Sequence, residues 1–227
     1  DDKTGIEAAL QLKEQLGGTV TVVSMGPPQA DVALREALAM GCDEAYLVSA
    51  REFGGSDTYA TSGIIAAALK KIGYDLIITG RQAIDGDTAQ VGPQIAEKLH
   101  LPQVSYVEEV VEAAADHVVV KRQFEDGYHI IKIKTPCLLT AIAELATPRY
   151  MSVRGIVEAY EKEIKVLGFE DLKDGLELDM IGLKGSPTNV YQSFTKEVKG
   201  AGTILEGLSA DEAVKAIMDK LEAKFII

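Results

Sequence analysis

The sequence is poor in basic residues and in cysteine, and it has no long apolar run. Its 23 lysines and arginines stand against 35 acidic residues, so the net charge is −12 at pH 7. This charge disfavours general binding to nucleic acid or to anionic lipid. No apolar run approaches the roughly 20 residues that span a bilayer, and no signal peptide is recognised. Cys42 and Cys137 lie far apart and form no CxxC pair, which predicts buried, reduced thiols in a cytoplasmic protein.

Several common catalytic patterns are also missing. The sequence contains neither a GxGxxG nor a GxxxxGK[ST] loop, which disfavours a standard dinucleotide dehydrogenase and a P-loop NTPase. Nothing in it resembles a nucleophile paired with a base. His100, His117 and His129 are scattered, without a carboxylate or cysteine at ligand spacing. We therefore expect surface histidines and no metal site.

Helix and strand patterns alternate through the first hundred residues. Apolar spacing predicts helices at 4–16, 31–40, 57–71 and 91–99, and β-branched runs predict strands at 19–24, 44–49 and 75–79. Such alternation is typical of an α/β fold with a Rossmann-like, mostly parallel sheet and helices on both faces. Ligands of such sheets bind outside the carboxyl ends of the strands.

The second half of the chain changes character. Strand patterns follow at 106–112, 117–122, 128–134 and 137–143, with Asp126-Gly127 as the signal for an inserted antiparallel hairpin. A charged helix is predicted at Ser152–Glu163. Residues 168–206 have little periodicity and are expected to form an extended arm. The arm ends in an amphipathic helix at Ser209–Lys224, whose capping box is Ser209 with Glu212.

The stretch with the clearest chemical signal is GRQAIDGDTAQVGP, Gly80–Pro93, which joins a predicted strand to a predicted helix. Its glycines, Thr88 and the following helix start favour a tight turn with exposed backbone amides, the geometry that holds phosphate. An ordinary polar loop has the same composition, so both interpretations stay open on spacing alone. Loops 24–27 and 54–61 follow two other strands and are expected at the same edge of the sheet.

Several blocks of sequence, in order, resemble the β subunit of electron-transfer flavoproteins. They are VSMGPPQ (Val23–Gln29), ALAMGCDEAYLV (Ala37–Val48), the Gly80–Pro93 loop, VKRQFEDGYHIIKIKTPCLLTA (Val120–Ala141) and TPRYMSVRGI (Thr147–Ile156). The resemblance covers nearly the whole chain. It implies a Rossmann-like sheet whose loops hold an adenine nucleotide, and a further strand with an Asn-Pro segment before Asp1.

The resemblance also implies the binding residues. Those for the cofactor are Asp1, Asp2, Met25, Gly80, Arg81, Gln82, Ala83, Ile84, Asp85, Gly86, Asp87, Thr88, Ala89, Gln90 and Val91. Those for recognition of a partner dehydrogenase are Ser152, Val153, Arg154 and Ile156. It further implies a nucleotide-binding domain over residues 1–166, and an arm with a helix over 167–227 that packs on the α subunit.

The family has two branches that differ in the nucleotide bound by this subunit. Ordinary members hold AMP as a structural ligand, whereas members that bifurcate electrons hold FAD. The run DGDTAQVGP, together with DTYAT at Asp57–Thr61, resembles the bifurcating branch. That branch implies NADH as electron donor, with an acyl-CoA dehydrogenase or related flavin dehydrogenase and ferredoxin as partners. An ATP-binding module of the universal-stress type is a third hypothesis, but it leaves the hairpin, the Pro-Arg-Tyr segment and the arm unexplained.

Overall fold

The computed structural model describes residues 1–195, 198 and 200–227. The helices are α1 (Asp2–Leu16), α2 (Asp31–Met40), α3 (Thr58–Ile72), α4 (Val91–Leu99), α5 (Val153–Glu161), α6 (Phe169–Leu172) and α7 (Ala210–Glu222). The strands are β1 (Thr21–Met25), β2 (Glu44–Val48), β3 (Leu76–Gly80), β4 (Gln103–Ala113), β5 (His117–Phe124), β6 (Gly127–Lys134), β7 (Cys137–Ala141) and β8 (Ile164–Leu167). Each predicted helix and strand is present, with ends that differ by three residues or fewer.

The strands form two sheets that are mostly parallel. One has the order β1-β2-β8 and is parallel throughout, and the other has the order β3-β7-β4-β5-β6. In the second sheet β3, β7 and β4 are parallel, whereas β4, β5 and β6 are antiparallel. Met25 pairs with Val48, and Gly80 pairs with Ala141, so β1 ends level with β2, and β3 ends level with β7. This arrangement confirms the predicted α/β fold class.

Helices cover both faces of the parallel strands. In β2, Ala45 and Leu47 pack in a cluster with α2 and α5, whereas Val48 packs on the other face with α3. In the second sheet, Ile77 packs against α3 and α4. On the other side, α1 approaches so closely that a Cβ on Gly5 would lie 3.1 Å from Ile78 Cγ2. Burial on both faces explains why these strands read as continuous apolar runs.

The predicted hairpin is formed by β5 and β6. Its register pairs Phe124 with Gly127, so the two turn residues are Glu125 and Asp126. The turn therefore lies one residue earlier than the Asp126-Gly127 signal indicates. Over 117–121 of β5 and 131–134 of β6, more buried positions alternate with less buried ones, because one face packs in the cluster that contains Val120 and Ile133.

The compact α/β unit extends further than the predicted boundary at 166. It comprises Asp1–Asn189, and a second unit comprises Val190–Ile227. Strand β8 was not predicted as a strand, and it pairs with β2 in parallel. Beyond it, Leu172 and Ile181 are buried among apolar residues of the unit. Single buried residues of this kind hold the segment against the unit, but they produce no repeating hydrophobic pattern in the sequence.

The second unit contains α7, whose capping box forms as predicted. The Ser209 backbone N–H donates to Glu212 Oε2 at 2.8 Å, and Ser209 Oγ accepts from the Glu212 N–H at 3.4 Å. Residues 196, 197 and 199 of the predicted arm lie outside the described residues. Within the described part of the chain, no helix has both the length and the apolarity needed to cross a membrane.

Candidate functional site

The loop predicted to hold phosphate begins where β3 ends, at Gly80, and leads into α4 at Val91. Gly92 determines how closely this helix approaches the sheet. A Cβ at Gly92 would lie 2.7 Å from Thr79 Oγ1 and 2.9 Å from Thr140 Cγ2. These distances are too short for any residue that has a Cβ atom, unless its surroundings move. Glycine therefore allows the first turn of α4 to rest directly on the carboxyl ends of β3 and β7.

The first turn of α4 differs from those of the two helices that follow β1 and β2. Asp57 caps α3, with its Oδ1 accepting from the Tyr59 and Ala60 N–H groups at 3.0 Å. Helix α2 has Asp31 in its first turn. In α4 the N-cap residue, Gln90, makes no side-chain cap, and the first turn carries no acidic residue. The positive end of the α4 dipole is therefore left for another negative group.

The backbone of the loop itself favours an anion. Asp87 and Ala89 both have φ of 52°, in the left-handed region, whereas Gln90 is right-handed. Alternation of this kind makes neighbouring N–H groups converge on one concave point. The turn is held by a hydrogen bond from the Asp87 N–H to the Ala83 carbonyl at 2.9 Å and by one from Gln82 Nε2 to the Asp87 carboxylate. Ile84 at its tip is fully exposed.

The first residues of the chain lie beside the start of this loop. Asp2 Oδ1 accepts from the Gly80 N–H at 3.1 Å, and Asp1 Oδ2 lies 3.6 Å from Arg81 Nε. Arg81 Nε is buried and makes no hydrogen bond within the described structure. A guanidinium nitrogen in that condition suits an additional acceptor such as a phosphate or hydroxyl oxygen.

The start of α3 contacts the start of α4 through side chains. Thr58 Oγ1 donates to Gln90 Oε1 at 2.9 Å, and Ser62 Oγ donates to Gln94 Oε1 at 3.1 Å. Burial by itself would raise the pKa of the Asp57 carboxyl. Hydrogen bonds from the backbone N–H groups of Ala60, Thr188 and Tyr59 outweigh this effect, so the pKa lies below its usual value. The cap on α3 therefore stays ionised. The predicted set of site residues does not include Asp57, although its position before a helix is a visible capping signal.

The predicted cofactor residues thus fall into groups with different contacts. Direct contacts join Asp1 and Asp2 to the Gly80–Arg81 corner, and others join Gln82 and Ala83 to Asp87. Met25 is half-buried and packs against the apolar cluster of α3 and β2. Its place in the structure is that of a core side chain at a strand end. Of the backbone amides of 86–91, that of Asp87 already donates to the Ala83 carbonyl.

The residues predicted for partner recognition lie on and next to α5. Ser152 caps this helix, accepting from the Gly155 N–H at 2.9 Å. Val153 is 82% exposed, and Arg154 on the same surface pairs with Glu158. Ile156 is also exposed. The helix therefore presents an apolar strip with charged neighbours, a composition found at protein interfaces.

Helix α5 is held rigidly from both ends. A Cβ on Gly155 would lie 2.6 Å from the Ala39 carbonyl oxygen, so only glycine permits this close contact with the end of α2. At the other end, Arg35 Nη1 donates to the Ala159 carbonyl at 2.6 Å and to that of Lys162 at 3.2 Å. A rigid helix loses little entropy when a partner binds it.

The segment before α5 is tied to α1 by Arg149. Its Nε and Nη2 donate to the two carboxylate oxygens of Glu7 at 2.7 and 3.0 Å, and its Nη1 donates to Glu14 at 2.7 Å. Glu7 is only 4% exposed. Hydrogen bonds from Arg149 hold the pKa of Glu7 below its usual range despite burial. Sequence reasoning assigned no role to Glu7, because nothing in a helix pattern signals a carboxylate that pairs 142 residues away.

One expectation about the histidines is wrong. His117 does have carboxylates nearby: Asp116 Oδ1 lies 2.7 Å from its Nδ1, and Glu112 Oε1 lies 3.4 Å from its Nε2. Its side chain is largely covered, since only 12% is exposed. Asp116 directly precedes His117 in the sequence, whereas the contact with Glu112 depends on the tight turn between β4 and β5.

Comparisons with known proteins agree on one family. Residues 2–172 match the model of the electron transfer flavoprotein domain. The chain is 55% identical to the acryloyl-CoA reductase electron transfer subunit gamma of Anaerotignum propionicum, with all of this chain and 86% of that protein covered. With the same coverage, it is 53% identical to the electron transfer flavoprotein subunit beta of Thermoanaerobacterium thermosaccharolyticum. It is 51% identical to a subunit of the caffeyl-CoA reductase–Etf complex of Acetobacterium woodii, again with that coverage.

Proposed function

The chain belongs to the electron transfer flavoprotein family, and we propose that it is a β subunit whose loop 80–91 binds the adenine nucleotide part of FAD. The observation that carries the proposal is the open start of α4. Its first turn has no carboxylate and no side-chain cap, and Gly92 seats it on the strand ends. Converging amides and the helix dipole together favour a phosphate.

FAD is favoured over AMP by the two sequence runs that resemble the bifurcating branch. One is the loop run that contains Thr88 and Gln90, and the other is Asp57–Thr61. The hydrogen bond from Thr58 to Gln90 joins these runs in one contact. A change in either run therefore alters the contact between them.

The residues of this chain would bind and orient the nucleotide. The amides of Gly86 and of 88–91 would hold its phosphates, since that of Asp87 donates to the Ala83 carbonyl, and Arg81 would add a charged donor. Asp85 and Asp87 would orient the loop or meet ribose hydroxyls, because carboxylates placed directly against phosphate would repel it. FAD bound here would provide the chemistry for accepting a hydride from NADH. Of the two electrons of that hydride, one would go to the flavin of the α subunit and one to ferredoxin. The protein's own contribution is position, charge and exclusion of water.

The second unit, Val190–Ile227, is the proposed contact for the α subunit. Helix α7 has no buried residue within this unit, and Val214, Ile217 and Met218 on it are exposed. Spacing of three and four places these side chains on one helix face. An apolar face of that kind is normally covered by another chain.

Helix α5 is the proposed contact for a flavin dehydrogenase of the acyl-CoA type. Val153 and Ile156 would be its apolar anchors, and Arg154 would contribute to the charged rim. Two of the similar proteins carry names that connect them to reductases of CoA esters. A CoA-ester dehydrogenase or reductase is therefore the class of partner to test first.

The alternative is an ordinary subunit that holds AMP as a structural ligand. AMP carries the same adenosine phosphate, so the start of α4 would accept it as well. In that case the only flavin of the heterodimer would carry the electrons. The two alternatives differ in the number of FAD molecules that the complex contains.

Substitution of Gly86 tests the loop. No protein atom lies within 4 Å of a Cβ at this position, so Gly86→Val should fold normally while its side chain blocks the approach of phosphate. Thr88→Pro removes one backbone N–H from the same turn. Both variants, co-expressed with the α subunit, should retain far less adenine nucleotide. Compared after removal of nucleotide, Gly86→Val and wild type should unfold at the same temperature, because bound ligand itself stabilises the native state. Unchanged nucleotide content in both would reject the loop as the binding site.

A further inference from the structure

Left-handed backbone occurs at few residues other than glycine. In the described part of the chain these are Asp87, Ala89, His100, Tyr106 and Phe225. His100 and Phe225 follow the ends of helices, where this conformation is common. Asp87 and Ala89 belong to the loop of the candidate site. Tyr106, with φ of 58° inside β4, has no such explanation, and a bulky residue keeps this conformation only where its surroundings hold it.

A β-bulge holds Tyr106 in this conformation. Along β4 and β7, Val104 pairs with Leu139 and Val107 pairs with Ala141, so β4 contains one residue more than its neighbour. Val104 and Val107 both remain in the buried cluster that contains Leu139. The extra residue frees Tyr106 from that cluster, and its side chain is 36% exposed. Bulges commonly re-aim a side chain next to a site.

Thr140 connects the bulge to the start of α4. Its Oγ1 accepts from the Tyr106 N–H at 3.1 Å. Its Cγ2 is one of the atoms that would clash with a Cβ on Gly92, at 2.9 Å. Thr140 is almost completely buried, so one rigid side chain fixes both the tyrosine backbone and the first turn of the helix.

The sheet places Tyr106 at the edge where the candidate loop begins. Ala141 of β7 pairs with Gly80 on one side and with Val107 on the other. Tyr106 therefore lies on the strand two places from β3, at the level of Gly80. Its exposed ring lies at the carboxyl end of the parallel strands, and its backbone is strained. The cofactor-binding residues predicted from the sequence do not include it.

We propose that Tyr106 is a ligand-contacting residue whose ring packs against the flat heterocycle of the bound nucleotide, either adenine or flavin. This inference rests on the proposed function of the loop. Aromatic rings prefer stacked or edge-to-face contacts with one another. The bulge and Thr140 supply the rigid support that such a contact needs.

Two substitutions separate the ring from the backbone. Tyr106→Asn removes the ring but keeps a residue type that tolerates left-handed φ. Tyr106→Phe keeps the ring. The matched control is His100→Asn, because His100 has φ of 56° and lies at the far end of α4. The heterodimer with the α subunit would be stripped of nucleotide, and the Kd values for FAD and for AMP would be measured by titration.

We expect Tyr106→Asn to weaken binding about three- to tenfold, as one aromatic contact would. Tyr106→Phe and His100→Asn should stay within about twofold of wild type. Weaker binding of FAD alone would assign the contact to the flavin ring, and weaker binding of both ligands would assign it to adenine. The unfolding temperature of Tyr106→Asn should not fall.

Two results would overturn the inference. Unchanged Kd values in Tyr106→Asn, with nucleotide lost in Gly86→Val, would reject the role of Tyr106 and leave the proposed function standing. Loss of α-subunit association without a change in Kd would place the ring at a subunit interface instead. If the wild-type heterodimer bound neither nucleotide, the proposed function itself would fail.

Discussion

Replacing Gly92 by alanine should separate the contribution of helix position from that of loop composition. The added Cβ would lie 2.7 Å from Thr79 Oγ1 and 2.9 Å from Thr140 Cγ2. Both contacts are shorter than 3.0 Å and lie on strands of the same sheet, Thr79 on β3 and Thr140 on β7, so α4 must move outward by several tenths of an ångström. Overpacking of this kind costs about 1–3 kcal/mol of unfolding free energy. The same shift moves the amides of the first turn away from a bound phosphate.

The expected effect on binding is about tenfold, since one charge-assisted hydrogen bond contributes about 1.5 kcal/mol or more. Gly63→Ala is the matched control, because Gly63 lies inside helix α3 and its Cβ would meet only the flexible end of Lys98, at 3.7 Å. That control should gain about 0.5–1 kcal/mol. Urea unfolding and FAD titration of the heterodimer would measure both quantities. A Gly92→Ala variant with wild-type affinity would refute the idea that α4 holds the phosphate.

Four further predictions follow from other parts of the structure. The Glu7 pKa is lowered in the folded state, so its stabilisation is complete above the ordinary value of 4.5 and is lost as the pH falls through the folded pKa. Glu7→Gln should therefore be less stable than wild type at pH 7. The difference in unfolding free energy between the two proteins should become smaller as the pH is lowered, as measured by urea unfolding at a series of acidic pH values. Deleting 190–227 should weaken association with the α subunit in size-exclusion chromatography but leave the unfolding of the α/β unit unchanged. Val153→Glu should slow reduction of the partner dehydrogenase without loss of nucleotide, as followed by stopped-flow absorbance. Cys42 and Cys137 are buried, and burial raises the pKa of each thiol to about 11, so both should resist a thiol reagent at pH 8 until urea unfolds the chain.

The parallel half of the fold could be predicted from sequence because local signals and tertiary packing agree there. Helix α2 and helix α4 begin and end at the predicted residues. Their apolar faces match the clusters that bury them, and glycine or a left-handed residue ends each. A segment can be predicted from its sequence when its local conformational preference agrees with its packing in the fold.

The end of the α/β unit could not be predicted for a physical reason. Strand β8 has only four residues, and Leu172 and Ile181 are single anchors within polar sequence. A hydrophobic period needs repeated burial on one face, whereas these residues are buried one at a time. Their partners on α3 and β2 lie more than a hundred residues earlier in the chain.

The position of the candidate loop could be predicted from the sequence, but the contacts that shape it could not. Composition pointed to phosphate, and the resemblance supplied the residue range. The close approach at Gly92 and the bulge at Tyr106 depend on contacts between strands that are distant in sequence. No local pattern encodes these two features, because both involve the register of β7 between β3 and β4.

The central claim is that this subunit holds FAD. The most direct measurement is the nucleotide content of the heterodimer, purified from co-expression of the full-length subunits, with the ligands released by acid and counted by chromatography. We predict two FAD molecules and no AMP in each complex. One FAD and one AMP would contradict the claim and would identify the chain as the structural subunit of an ordinary electron carrier.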